Sequence, residues 1–262
     1  MRRIFLVFLV TALAVTTAAA GPTTSSVITD TLSALGGRQA FGELGVLRME
    51  ISENEQIPGG ETNSLKYTAY IDTSLENSRL ELPGGIIVVS NGLVGWAIVN
   101  GNFDSRKQTP RMAPAMNHQK LFPLLLPFTL DMKQINFSKN VAETNFQGTA
   151  AWKFSVSLPK LFFPTPMIAQ IWEVFVDRKN LKNITARYFP VQEYIEVQPE
   201  GMQFQPKKWT EINGVSLPTE VLVQGIDSKA RVTGHTLQMS VAYSIVSDPD
   251  PTLFVAPQAD AN

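Results

Sequence analysis

Gly84-Gly-Ile-Ile-Val-Val-Ser-Asn-Gly-Leu-Val-Gly-Trp-Ala-Ile-Val-Asn-Gly101 is the stretch that decides the fold. Two β-branched apolar runs flank Asn91-Gly92. That dipeptide favours a two-residue hairpin, because a type I′ turn needs positive φ at both central positions. Asn100-Gly101 follows the second run and predicts another tight turn. The middle of the chain therefore reads as an antiparallel meander, with Trp96 on its second arm.

The same pattern extends in both directions. Upstream, strands are predicted at 44–54, 63–72 and 78–82, with Leu65, Tyr67, Ala69 and Ile71 alternating against polar neighbours. Downstream, 131–138, 141–146, 149–158, 170–176, 181–189, 208–211, 215–223 and 231–245 read as strands. In 149–158, Trp152, Phe154, Val156 and Leu158 share one face; in 231–245, Leu237, Met239, Val241, Tyr243 and Ile245 do. Asn213-Gly214 marks a further turn, and Pro218 predicts an edge or a bulge. No linker or low-complexity run divides the chain. The fold class is mostly β (α+β): one domain with a single antiparallel sheet of about ten strands, a size that tends to curl or close.

Helical signals are few. Thr24 to Leu35 has apolar residues at Val27, Ile28, Leu32 and Leu35 and ends at Gly36-Gly37, the arrangement of a capped helix. A short turn over 38–44 follows. Residues 106–130 break the β pattern: they are strongly apolar but carry Pro110, Pro114, Pro123 and Pro127. A one- or two-turn helix near 116–122 is predicted, with Pro123 and Pro127 preventing a longer one. Residues 160–168, with Phe162 and Phe163, form a second irregular apolar patch.

Composition narrows the function. The chain has 262 residues, a net charge of -1, no cysteine and two histidines. This balance offers nothing to nucleic acid. It excludes disulfides, thiolate metal sites and a cysteine nucleophile. Arg2-Arg3, the apolar run 4–15 and Ala18-Ala19-Ala20 have the form of a secretory signal peptide over residues 1–20, leaving a mature domain of 21–262. No catalytic or nucleotide-binding signature is present. His118, beside Asn117 and Gln119, reads as a solvated helix residue or a polar group at a cavity mouth. The chain is read as non-enzymatic, with no cofactor and no metal.

An alternating sheet must cover its apolar face. A second sheet, closure on itself, or helices over a half-barrel would each do so, and the space left is filled by side chains or held open for an apolar ligand. The two proline-punctuated patches suit a lid. Candidate ligand-binding residues are Trp96, Ile98, Leu121, Phe122, Leu125, Trp152, Phe154, Phe162, Phe163 and Met239.

Several motifs occur in a familiar order: the leader, Ala34-Leu35-Gly36-Gly37, Val46-Leu-Arg-Met-Glu50, Asn77-Ser-Arg-Leu-Glu-Leu82, Val89-Ser-Asn-Gly92 with Trp96, Asn213-Gly-Val-Ser-Leu-Pro218 and Phe254-Val-Ala-Pro257. This resembles the outer-membrane lipoprotein-sorting (LolA/LolB-like) superfamily of bacterial periplasmic carriers. The resemblance implies an unclosed antiparallel β-barrel, covered by short helices, whose concave face holds acyl chains. It also implies a lipid or acylated lipoprotein as partner, an envelope or outer-membrane acceptor protein, and a periplasmic location. The alternative is a protein-interaction or regulatory module of the same fold. Where those carriers have an Arg-Pro that secures the lid, this chain has Thr73-Ser74.

Overall fold

The computed structural model describes residues 21–92, 94–158, 171–189 and 201–256. The leader at 1–20 and the candidates Phe162 and Phe163 lie outside them. The chain opens with α1 (Thr24–Ala34) and α2 (Arg38–Glu43). A first meander follows: β1 (Val46–Gln56), β2 (Thr62–Asp72), β3 (Asn77–Leu82), β4 (Ile86–Asn91), β5 (Val94–Val99) and β6 (Asn102–Phe103). Helix α3 (Thr109–Thr129) leads to a second series: β7 (Asn136–Phe137), β8 (Ala142–Phe146), β9 (Thr149–Ser157), β10 (Ile171–Asp177), β11 (Ile184–Tyr188), β12 (Gly201–Ile212), β13 (Val215–Ile226) and β14 (Val232–Val246).

All fourteen strands form one antiparallel sheet, ordered β6-β5-β4-β3-β2-β1-β14-β13-β12-β11-β10-β9-β7, with β8 also on β9. The two series join where β1 pairs with β14, from Val46 opposite Val246 to Gln56 opposite Thr236. The end strands β6 and β7 do not pair with each other, so the sheet curls without closing. The sheet has fourteen strands where about ten were expected; among them, two-residue β6 is too short to show a period.

Local chemistry accounts for most elements. Thr23 and Ser26 form a reciprocal capping box at the start of α1. At its end, the Gly37 N–H donates to the Leu32 carbonyl at 2.8 Å. Gly36 is required by contact as well as by φ: a Cβ there would lie 2.3 Å from the Gly214 carbonyl oxygen. The end of α1 is thus seated on the β12–β13 turn, where the Ser216 N–H also donates to Leu35 O at 2.8 Å. In that turn Asn213 and Gly214 have φ of 48° and 79°, and Asn100 and Gly101 have 51° and 80°, so both Asn-Gly pairs have the positive φ at both positions that type I′ needs.

The central hairpin departs from expectation by one residue. Asn91 pairs with Val94, so Asn91 is the last residue of β4 and the turn does not centre on Asn91-Gly92. Glycine stands first in the loop with φ 64°. Each residue of β4 consequently meets a partner two places further along β5 than a turn centred on Asn91-Gly92 would give. A shift of two leaves every side chain on its face. Val88 faces the same way as Ala97, and Val89 the same way as Trp96.

Helix α3 is the larger correction. It runs 21 residues with Pro114, Pro123 and Pro127 in its interior, roughly 30 Å at 1.5 Å per residue. Each interior proline costs about 3 kcal/mol. Against that, Leu121, Phe122, Leu124, Leu125, Leu126 and Phe128 are all at most 3% exposed, and each such burial contributes about 1.5–3 kcal/mol. Six burials outweigh three prolines. This half of the helix is apolar on every side because it is buried on every side. Phe128 stacks on Phe41 of α2 at 4.0 Å, while Phe122 meets Trp172 of β10 edge-on at 4.7 Å.

Polar contacts fix the helix on the sheet. The Asn117 amide donates to the Ser78 carbonyl at 3.0 Å and the Ser78 hydroxyl at 2.9 Å. The Lys120 ammonium meets Glu53 at 2.5 Å, and the Tyr67 hydroxyl donates to the same carboxylate at 2.7 Å. The Glu53 side chain is 6% exposed. Burial, then the Glu53 charge and hydrogen bond, hold the Tyr67 phenol far above its ordinary range. Removing only the ammonium leaves a buried carboxylate without its counter-charge. Lys120→Met should therefore lower stability by on the order of 3 kcal/mol, and Glu53→Gln with Lys120→Met by less than Lys120→Met alone. Urea unfolding of the three proteins checks this; an equal loss in the single and double variants would contradict it.

Candidate functional site

The concave face is divided by α3. Beneath its C-terminal half lies an aromatic cluster: Trp172 stacks on Phe204 at 5.1 Å, and Phe122 and Tyr188 flank the pair. An opening among the described residues there, beside His118, Leu121, Phe122 and Leu125, is about 20 Å³. That is room for one water.

The N-terminal half of α3 sits differently. At Gly95 the helix touches the sheet, where an added Cβ would lie 2.8 Å from both Ala113 Cβ and Pro114 Cδ. Beside this contact lies an apolar cavity of about 610 Å³, open at one side. Its sheet wall is Leu82, Ile86, Val88, Ala97 and Val99; its helix wall includes Met112, Ala113 and Met116. The volume is about four times that of an apolar protein cavity that accepts benzene, ~150 Å³, and falls in the range of ligand pockets.

One polar cluster marks the mouth. Asp104 accepts from Arg106 Nε at 2.9 Å, Arg106 Nη2 at 2.7 Å and the Thr109 hydroxyl at 2.8 Å. The Arg106 bonds first, and Thr109 next, hold the Asp104 carboxyl well below the usual carboxylate range. Asp104 is therefore ionised and already neutralised. No three His, Asp or Glu side chains converge as a metal site among the described residues.

The residues singled out from sequence fall into three places. Leu121, Phe122 and Leu125 on α3, Phe154 on β9 and Met239 on β14 belong to the packed core. Trp152 is half-buried, with the Arg178 guanidinium 4.3 Å above its ring. Trp96 and Ile98 lie on the face of β5 opposite to Ala97 and Val99, which line the cavity. The lining that sequence reasoning passed over had a legible signal: Ala97 and Val99 are the other parity of the quoted hairpin, and Met112 and Met116 are spaced i, i+4.

Two further sites bear on the expectations. Thr73 stands at the end of β2, where its hydroxyl donates to the Gly42 and Gly45 carbonyls at 3.0 and 2.9 Å. A guanidinium does reach this corner, but from α2: Arg38 donates to Thr73 O at 3.0 Å and lies 3.7 Å from Asp131, just past α3. On the outer face, a second cleft of about 250 Å³ is lined by Phe146, Phe175, Asp177, Asn183, Gln205 and Lys207. Its aromatic rings are stacked at 4.1 Å, and Arg187 lies 4.7 Å above Phe175. The cleft is polar and offers an acyl chain little.

His118 lies half-buried on α3 against Ile71, Leu75 and Leu121. Burial lowers its pKa from 6.5 to about 4, so the ring is neutral in the folded protein at neutral pH. The unfolded chain takes up this proton near pH 6.5, and the folded chain does not until about 4. The His118 contribution is therefore full above pH 6.5 and is lost as pH falls toward 4. Melting temperatures measured across this window should fall less steeply for His118→Gln; parallel curves would contradict the assignment.

Three solved structures share the architecture. A LolA superfamily protein from Nitrosomonas europaea superposes with a TM-score of 0.57 at 11% identity, covering 89% of this chain and 98% of the other. A DUF1329 family protein from Desulfovibrio piger gives 0.52 at 12%, covering 87% and 96%. A domain described as an outer membrane lipoprotein-sorting protein, from Vibrio parahaemolyticus, gives 0.51 at 8%, covering 87% and 97%. No family model and no curated protein matches the sequence. The likeness extends over most of each chain, and the protein has a LolA-like fold.

Proposed function

We propose that this protein is a non-enzymatic carrier or binding protein for an acyl-chain ligand, a lipid or an acylated lipoprotein. The observation that carries the reading is the open apolar cavity of about 610 Å³ between β3–β5 and the N-terminal half of α3. Its walls are aliphatic and thioether side chains, with charge confined to the mouth. Among the described lining residues the one carboxylate, Asp104, is held ionised by Arg106 and Thr109 and is not free for acid–base work.

Binding in such a site is burial. Each CH₂ removed from water contributes about 0.8 kcal/mol before ordering costs. A ligand held this way leaves only for an acceptor that binds it better, which suits a carrier delivering to an envelope or outer-membrane protein. A cleaved leader at residues 1–20 would place the mature domain in the periplasm. Among the described residues no helix is long and apolar enough to cross a membrane. The fold shared with a domain whose name speaks of lipoprotein sorting supports the same class of ligand.

Organic extraction of the purified protein, followed by mass spectrometry, should recover bound lipid, and a fluorescent fatty-acid probe should bind. Ala97→Trp places an indole in the cavity and should weaken probe binding at least tenfold while leaving the melting temperature little changed. Lipid-free preparations that also fail to bind the probe would refute the carrier reading. Equal probe affinity in the Ala97→Trp protein would move the site elsewhere.

A further inference from the structure

The surroundings of the cavity mouth differ from the rest of the surface. Met112 is 40% exposed and Met116 41%. They are one turn apart on α3, so their thioethers stand on the rim as well as in the wall. Large exposed apolar side chains grouped in this way mark a contact surface.

Cations flank the same rim. Residues 101–121 contain Arg106, Lys107, Arg111 and Lys120 and a single acidic residue, Asp104. Lys120 is taken up by Glu53. Asp104 is bonded to Arg106, whose side chain is nevertheless 68% exposed. Lys107 and Arg111 are both exposed. The first turn of α3 holds no acidic residue, so the positive end of the helix dipole adds to the local field. This basic rim belongs to a chain whose overall net charge is -1.

Taking the cavity as the acyl site, we propose that this rim docks on the surface of a bilayer containing anionic lipid, so that an acyl chain passes between bilayer and cavity without crossing water. Met112 and Met116 enter the boundary between headgroups and acyl chains, while Lys107, Arg111 and Arg106 lie at headgroup level. Apolar side chains beside basic ones are the combination that holds a protein in the interface plane. The position of the opening decides between a bilayer and a protein partner. The exposed thioethers stand beside an opening through which an acyl ligand would enter, and a bilayer is the acyl reservoir that this charge selects.

Vesicle flotation tests the docking surface with variants outside the cavity wall. The protein should float with phosphatidylcholine vesicles containing phosphatidylglycerol, bind phosphatidylcholine alone far more weakly, and dissociate as salt is raised. Lys107→Glu with Arg111→Glu should reduce partitioning by ~30-fold or more. This double variant should keep the wild-type melting temperature and fatty-acid probe affinity. Vesicle binding indifferent to lipid charge or to these substitutions would overturn the proposal. So would an intact probe site with no vesicle binding, which would assign the rim to a protein partner. Charge-dependent vesicle binding by a protein that binds no probe would sustain the docking surface and refute the acyl cavity.

Discussion

Fourteen strands in one unclosed sheet present a concave apolar face that water cannot be allowed to reach, and the packing of α3 against that face is the contact on which the structure depends. One end of the helix is buried on every side, between α1 and α2 above and the Trp172–Phe204 stack below. The other end is held by Asn117 and by the touch at Gly95, and encloses space where it does not meet the sheet. The same element is therefore both plug and lid. Packing at one end provides the stability that allows the other end to stay open.

The polar contacts matter because burial by itself does not fix position. An apolar helix on an apolar sheet can slide with little change in buried area. Asn117, bonded to β3, and Lys120, paired with Glu53 of β1, set the helix at one height and one rotation. Arg38 ties α2 to the β2–β3 turn and reaches Asp131 just past α3, so one guanidinium joins the helical cover to the sheet.

Most of the strands, the helix α1 with its glycine stop, and two of the three Asn-Gly turns, at Asn100-Gly101 and Asn213-Gly214, were legible because each depends on neighbours in sequence. Alternation in β2, β9 and β14 placed Tyr67, Phe154 and Met239 on the buried face without knowledge of their partners. Three features were not legible, each for a physical reason. Helix α3 runs through three interior prolines because tertiary burial outweighs their cost, and propensity sees only the cost. The register of the central hairpin, with Asn91 paired to Val94, turns on a choice of loop around Gly92 that local sequence leaves nearly balanced. The cavity wall is built from small and aliphatic residues, Val88, Ala97 and Val99, because a cavity is where bulk is missing. A search for large aromatic candidates finds Phe122 and Trp152, which fill or cover the structure, sooner than the residues that leave room.

The central claim is that the open half of the concave face holds an acyl chain. Crystals grown with a bromine-labelled fatty acid test it most directly, since anomalous scattering locates the label without assumption about the pose. The account predicts a bromine peak between the N-terminal half of α3 and strands β3–β5, in contact with Ala97 and Met112. A peak confined to the outer cleft by Phe146 and Phe175, or an unlabelled cavity in crystals soaked to saturation, would contradict it.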